Sequence, residues 1–313
     1  MRTTLIGRAA AAAVATLAVV TVSACGGGGS GGPLGGGAGS APAAPGDTIR
    51  VGSANFPEST LIAEIYAQAL EAKGVKVDRR LNLGSRETYF PGLKDGSIDL
   101  IPEYTGTVLQ YLDKQATATA PDEVYSALQK TIQAPLTVLD KAPAEDKDAV
   151  VVTRAVAQRY NAKTLADLAP HCGELVFGGP PEFQQRPDGT PGIQKTYGCS
   201  FQSYRSLDVG GPLTIKALTD GTVQAADVFT TDPNIADKDL VALEDPKNNF
   251  AAQNVVPVIN SAKANDQVKQ ILNGVSAKLT TSGLVDLNRK LNAPDKPNAA
   301  VVAKEWLAAN GLG

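Results

Sequence analysis

The chain has one histidine, His171, and three cysteines, Cys25, Cys172 and Cys199, in 313 residues. His171 stands between Pro170 and Cys172 without an evident partner, so a histidine-based triad has nothing to be built from. There is no nucleophile elbow, no phosphate-binding P-loop and no dinucleotide fingerprint. These gaps argue against an enzyme, and no cofactor or catalytic residue is expected. Basic clusters are also missing. Removing residues 1–24 takes away Arg2 and Arg8 and leaves 27 bases against 32 acids, which argues against nucleic acid as a partner. The longest apolar run, Ala9 to Val22, is 14 residues, too short to span a bilayer as a stable helix.

What is present at the start is a targeting pattern. Arg2 and Arg8 precede that apolar run, as in a signal peptide covering residues 1–24. It ends in Val22-Ser23-Ala24-Cys25, small residues before a cysteine, and we read Cys25 as a lipidation site; the alternative is an ordinary cleavage site beside a chance cysteine. Residues 26–46 hold 11 glycines in 21 positions and cannot bury a core. They form a flexible tether with a reach of roughly 25 Å by random-coil scaling. The protein is then exported and lipid-anchored on the outer face of the cytoplasmic membrane. In that compartment Cys172 and Cys199 are expected to form a disulfide. A zinc site using His171 is the alternative, with only three obvious ligands.

The remaining residues alternate between the two periodicities of regular structure. Thr48–Gly52 reads as a strand, and Glu58–Lys73 places apolar residues at helical spacing and stops at Gly74. Val75–Leu83 is a strand, Arg86–Lys94 a helix behind Ser85 interrupted or delayed by Pro91, and Ser97–Ile101 a strand ending at Pro102. A second set starts near residue 149, with strands at Ala149–Thr153, Glu174–Phe177 and Ala225–Thr230. Thr164 and Asp167 form a variant capping box, and Pro212–Thr219 is helical. Asn254–Asn260 is a returning strand, followed by three helical patterns over residues 264–310. This order predicts an α/β fold with mainly parallel sheets. It suits two lobes: residues 47–147 plus 253–313, and residues 148–252, joined by two crossings that act as a hinge around a ligand cleft.

Four segments resemble the substrate-binding proteins of osmoprotectant ABC transporters: IRVGSANFPESTLIAEIYAQALEAKG, LNLGSRETYFPGLKDGSIDLIPEYTGT, PEFQQRPDGTPGIQKTYG and DVFTTDPNI. The resemblance covers nearly all of residues 48–313 and implies a two-lobed, periplasmic-binding-protein-like fold of type II. It also implies a monomer that captures glycine betaine, choline, carnitine or proline betaine and hands it to an ABC permease and, through it, to the ATPase. Such a ligand's quaternary ammonium donates no hydrogen bond and is held by aromatic faces through cation–π attraction. Its carboxylate goes to an arginine, hydroxyls or backbone N–H groups.

By that resemblance Tyr104 is a cage wall, Thr107 a hydroxyl contact, and Arg186 the arginine that closes over the carboxylate. Phe229 stands where a cage tyrosine is usual. The departures are Ala54, where many members have lysine, with Asn55 beside it; Asp148, near a position that is often tyrosine; and Gln253, in place of another cage tyrosine. Only Tyr104 and Phe229 are then expected as cage aromatics, which keeps open a different solute, such as a polar aromatic or polyol ligand. Tyr104 also reads as a core tyrosine, Arg186 as a brace for its Pro-Asp-Gly turn, and Phe229 as core. Tyr89, Tyr111, Tyr125, Tyr160 and Tyr204 read as packing or surface residues. A regulator's effector-binding domain shares this broad fold, but the signal segment and the lack of a DNA-binding helix pair argue against it.

Overall fold

The computed structural model describes residues 48–313; the signal segment, Cys25 and the tether lie outside the described residues. Ten strands follow in chain order: β1 (Ile49–Gly52), β2 (Val77–Arg80), β3 (Leu100–Tyr104), β4 (Leu136–Val138), β5 (Asp148–Thr153), β6 (Val176–Gly179), β7 (Ser203–Ser206), β8 (Ala225–Phe229), β9 (Leu240–Ala242) and β10 (Val255–Asn260). They form two five-stranded sheets, ordered β2-β1-β3-β10-β4 and β7-β6-β8-β5-β9.

Each sheet is covered by amphipathic helices. The helix Pro57–Glu71 buries Leu61, Ile62, Ile65, Tyr66, Ala69 and Leu70, the helical spacing read from the sequence. Around the first sheet they join Val255, Ile259 and the C-terminal helices Asp266–Lys278, Thr281–Leu291 and Ala299–Ala309 in one apolar cluster. The second sheet has its own clusters, centred on Val150, Val152 and Phe177 on one face and on Val151, Val228 and Leu218 on the other.

The sheets are mixed rather than mainly parallel. β1–β2, β1–β3, β6–β7 and β6–β8 are parallel, whereas β10 runs antiparallel to β3 and β4, and β5 antiparallel to β8 and β9. β5 and β10 are the strands entered directly from the opposite sheet. Each arrives from the cleft side, against the direction of strands that reach the cleft at their C-terminal ends. The two crossings lie side by side: Asp146 N–H donates to the Gln253 carbonyl at 3.1 Å, and Val255 N–H to the Ala144 carbonyl at 3.0 Å.

Two prolines expected to interrupt structure do not. Pro102 lies within β3, facing Pro257 of β10. β1 pairs with β3 only at Leu100, so no partner strand needs the N–H that Pro102 lacks. Pro91 sits inside the helix Arg86–Asp95, which runs through it to Gly96 in the left-handed conformation. The second strand of the second set is Val176–Gly179, two residues later than expected, and the helix Thr190–Tyr197 was not anticipated. Thr164 and Asp167 do form a reciprocal capping box. Cys172 and Cys199 are joined in a disulfide, which removes both thiols from the zinc alternative. His171 instead stacks on the Tyr160 ring at 4.3 Å.

Candidate functional site

The stretch Glu103-Tyr104-Thr105-Gly106-Thr107 turns from the end of β3 into the helix Thr105–Leu112. The returning crossing packs directly against this turn. Thr105 N–H donates to the Asn254 carbonyl at 3.0 Å, and Thr107 N–H to Gln253 Oε1 at 3.0 Å. A Cβ on Gly106 would lie 2.7 Å from the Ala252 carbonyl oxygen, so only glycine permits this approach. The turn thereby presents Tyr104 and Thr107 toward the space between the sheets.

The helix Arg86–Asp95 supplies a second wall. Arg86 Nε and Nη2 donate to the two oxygens of Glu103 at 2.8 and 2.7 Å, and Tyr89 donates its hydroxyl to Glu103 at 2.7 Å. Arg86 Nη2 also donates to Thr107 Oγ1 at 2.8 Å. Burial works against the Arg86 charge, and the Glu103 carboxylate more than offsets it, holding the guanidinium above its usual range. The pair is bidentate and fully enclosed, the geometry in which an arginine–carboxylate pair orients its neighbours.

From the other sheet come Arg186, Phe229 and Asp148. Arg186 follows a short 3-10 turn, Pro181–Gln184, and reaches across to Glu87, donating from Nε and Nη2 at 3.1 and 3.2 Å. Burial of Glu87 favours its neutral form, but Arg186 prevails and holds that carboxyl down to about 2. Asp148 opens β5 directly opposite Phe229 on β8. Burial raises the Asp148 carboxyl against the pull of Arg186, and pushes Asp227 well up, with the charge of Asp148 adding to it.

Ala54, Asn55, Tyr104, Thr107, Asp148, Arg186, Phe229 and Gln253 all line one cavity of about 40 Å³. That is room for a few water molecules. Arg186 is at once a cavity residue and a brace, though its partner is Glu87 on the facing side rather than its own turn. Tyr104 likewise combines two expectations: its hydroxyl is satisfied by Glu58 at 2.6 Å while its ring stays on the wall. Gln253 is 1 % exposed; its Oε1 is taken by Thr107, and its Nε2 has no partner among the described residues.

Two aromatic residues beyond Tyr104 and Phe229 stand on the cavity wall. Phe56 and Tyr89 line the same cavity, and the Phe56 ring centroid lies 6.1 Å from Tyr104 and 5.0 Å from Phe229. Tyr89 had been read as a packing or surface residue. Phe56 carried a usable signal, because it sits between a strand end and a helix start, the same kind of junction that marks Tyr104. Arg86 and Tyr89 carried none, since both lie within a helix whose orientation only packing decides.

The substrate-binding domain of ABC-type glycine betaine transport systems, OpuAC, matches residues 47–309. The chain belongs to this family. As an OpuAC-family protein it is the solute-binding part of an ABC import system, working outside the cytoplasm with a permease. It is 28% identical over 286 residues to the glycine betaine-binding protein YehZ of Escherichia coli, covering 87% of this chain and 93% of that protein. It is 28% identical over 260 residues to the ergothioneine transport permease/ergothioneine binding protein EgtU of Helicobacter pylori, covering 82% of this chain but 46% of that longer protein. Among solved structures, a glycine betaine/carnitine/choline ABC transporter protein aligns with a TM-score of 0.67 at 26% identity, covering 84% of this chain and 99% of the other. Among the described residues, no helix is long and apolar enough to cross a membrane.

Proposed function

We propose that the cavity binds a small trimethylammonium zwitterion, with glycine betaine as the first candidate, and releases it unchanged to the permease. The observation that carries this reading is the convergence of four aromatic residues, Phe56, Tyr89, Tyr104 and Phe229, with the buried Asp148 on one small cavity. A methylated ammonium offers no donor, so aromatic faces are its natural surroundings, each worth roughly 0.5–2 kcal/mol. Asp148 adds a counter-charge. The acceptor end of the ligand is served by the unpaired Gln253 Nε2 and by Thr107, with Arg86 and Arg186 providing positive potential.

In this reading residues 47–147 with 253–313, and residues 148–252, move as two bodies about the paired crossings, and closure brings Arg186 over the ligand. A larger betaine bearing a polar group is the second reading, favoured by the 28% identity to the ergothioneine binding protein of Helicobacter pylori. Titration calorimetry of residues 47–313 against glycine betaine, choline, carnitine and ergothioneine tests both. Binding of glycine betaine without chemical change supports the first reading. Binding of none of the four, or turnover above a heat-killed control, refutes it.

Lipid anchoring through Cys25 belongs to the same proposal, because a tethered receptor stays close to its permease. Cys25→Ala is expected to move the protein from the membrane fraction to the soluble fraction. A variant that remains with the membrane rules the anchor out.

A further inference from the structure

Glu58 lies in the first turn of the helix Pro57–Glu71, and its side chain is 4 % exposed. Its carboxylate accepts hydrogen bonds from three separate segments. Tyr104, on the cavity wall, donates its hydroxyl to Oε1 at 2.6 Å. Thr231, two residues beyond β8, donates its hydroxyl to Oε2 at 2.6 Å. Asn288, in the helix Thr281–Leu291, donates Nδ2 to the same oxygen at 2.6 Å and to Thr231 Oγ1 at 3.0 Å. Thr231 also donates its N–H to Asp146 Oδ1, on the outward crossing, at 3.0 Å. Burial, and then the charge of Glu58, push the Asp146 carboxyl well above the carboxylate range.

Glu58, Tyr104 and Asn288 belong to the half built on the first sheet, and Thr231 to the half built on the second. Separating the halves takes the Thr231 hydroxyl away while Tyr104 and Asn288 stay in place. A charged acceptor that loses a donor in a buried site costs more than a neutral one. We infer that Glu58 is a positioning residue for ligand retention: it holds the Tyr104 ring and, through Thr231, latches the second half against the first, so that ring placement and closure are one event. The binding part of this inference rests on the cavity being the betaine site; the latch itself does not. A latch of this kind acts on escape of the ligand, and so on the dissociation rate.

Thr231→Val keeps the side-chain shape and removes only the hydroxyl. With glycine betaine in rapid-mixing experiments, its dissociation is expected to be about tenfold faster, with the association rate unchanged within about twofold. Tyr104→Phe removes another donor from the same carboxylate. The double variant is expected to fall short of the product of the two single effects, because both act through Glu58. Small-angle scattering of the ligand-free protein is expected to show a larger radius of gyration for Thr231→Val and Glu58→Gln than for wild type; should Glu58→Gln fail to fold, Thr231→Val carries this arm alone. An unchanged dissociation rate, multiplicative effects, or an unchanged ligand-free radius each overturns the latch. Wild-type protein that does not bind glycine betaine refutes the ligand class instead, and the scattering arm still decides the latch.

Discussion

Asp188 is buried at the foot of the Arg186 turn, and its Oδ2 has no partner among the described residues. Burial, then the nearby charge of Asp148, push its carboxyl up to about 6, against the pull of Arg186. In an unfolded chain an aspartate titrates near 3.9. Between about pH 4 and 6 the folded protein thus keeps a proton that the unfolded chain has lost. Stability from this group is complete below pH 4 and falls as pH rises to 6, by about 3 kcal/mol. Glu87 has the opposite sign: held down to about 2, it contributes above the unfolded glutamate range and loses that contribution only as pH falls below it. Asp148 and Asp227 share the sign of Asp188, so the difference between variant and wild type is the informative quantity. Asp188→Asn is expected to gain on wild type steadily from pH 4 to pH 6 in urea unfolding. Parallel profiles for the two proteins exclude the shift.

The segment that carries Arg186 is shaped by two close backbone approaches. A Cβ on Gly189 would lie 1.9 Å from the Phe183 carbonyl oxygen, and one on Gly192 would lie 2.2 Å from that of Pro187. Neither glycine has a positive φ; each is needed because carbonyls press against it. The helix Thr190–Tyr197 therefore starts tight against the turn and holds Arg186 toward Glu87. Gly192→Ala is expected to lose about 1–3 kcal/mol of stability and to weaken ligand binding through displacement of Arg186. Gly173→Ala, which meets nothing within 4 Å, is the control and is expected to be neutral. Equal melting temperatures for both variants contradict this account. Gly189 was legible in the sequence as part of a Pro-Asp-Gly turn, but the carbonyls that demand glycine at 189 and 192 were not.

Across the whole molecule, connections of long range hold what local pattern cannot. The Cys172–Cys199 disulfide closes a loop of 27 residues' separation around the cluster of Phe177 and Phe183. A loop of that size contributes roughly 3–4 kcal/mol in the chain-entropy account. Replacing both cysteines by alanine is expected to lower the denaturation free energy by about that amount, and reduction of the wild type to match it. An unchanged unfolding midpoint in both cases defeats the prediction. Arg186 to Glu87, Phe56 to Phe229 and Glu58 to Thr231 likewise join residues about a hundred or more positions apart. These are the contacts that make a closed cavity out of two sheets.

The periodicities of the chain determined by themselves many of its helices and strands and which of their faces are apolar, because both follow from residue spacing over a few turns. The helix Pro212–Thr219 has the bounds its sequence predicts, and the Thr164–Asp167 capping box is a matter of three residues. The junction at Glu103–Thr107 was legible for the same reason, and the family pattern added Arg186, Phe229 and Gln253. Only the tertiary structure decided that β5 and β10 run against their neighbours, that Pro102 can sit inside β3, and that Phe56 and Tyr89 complete the aromatic wall. Spacing states which way a side chain leaves its own element. What it meets there is set by how elements pack, and that is decided jointly by the buried area and hydrogen bonds of the whole fold.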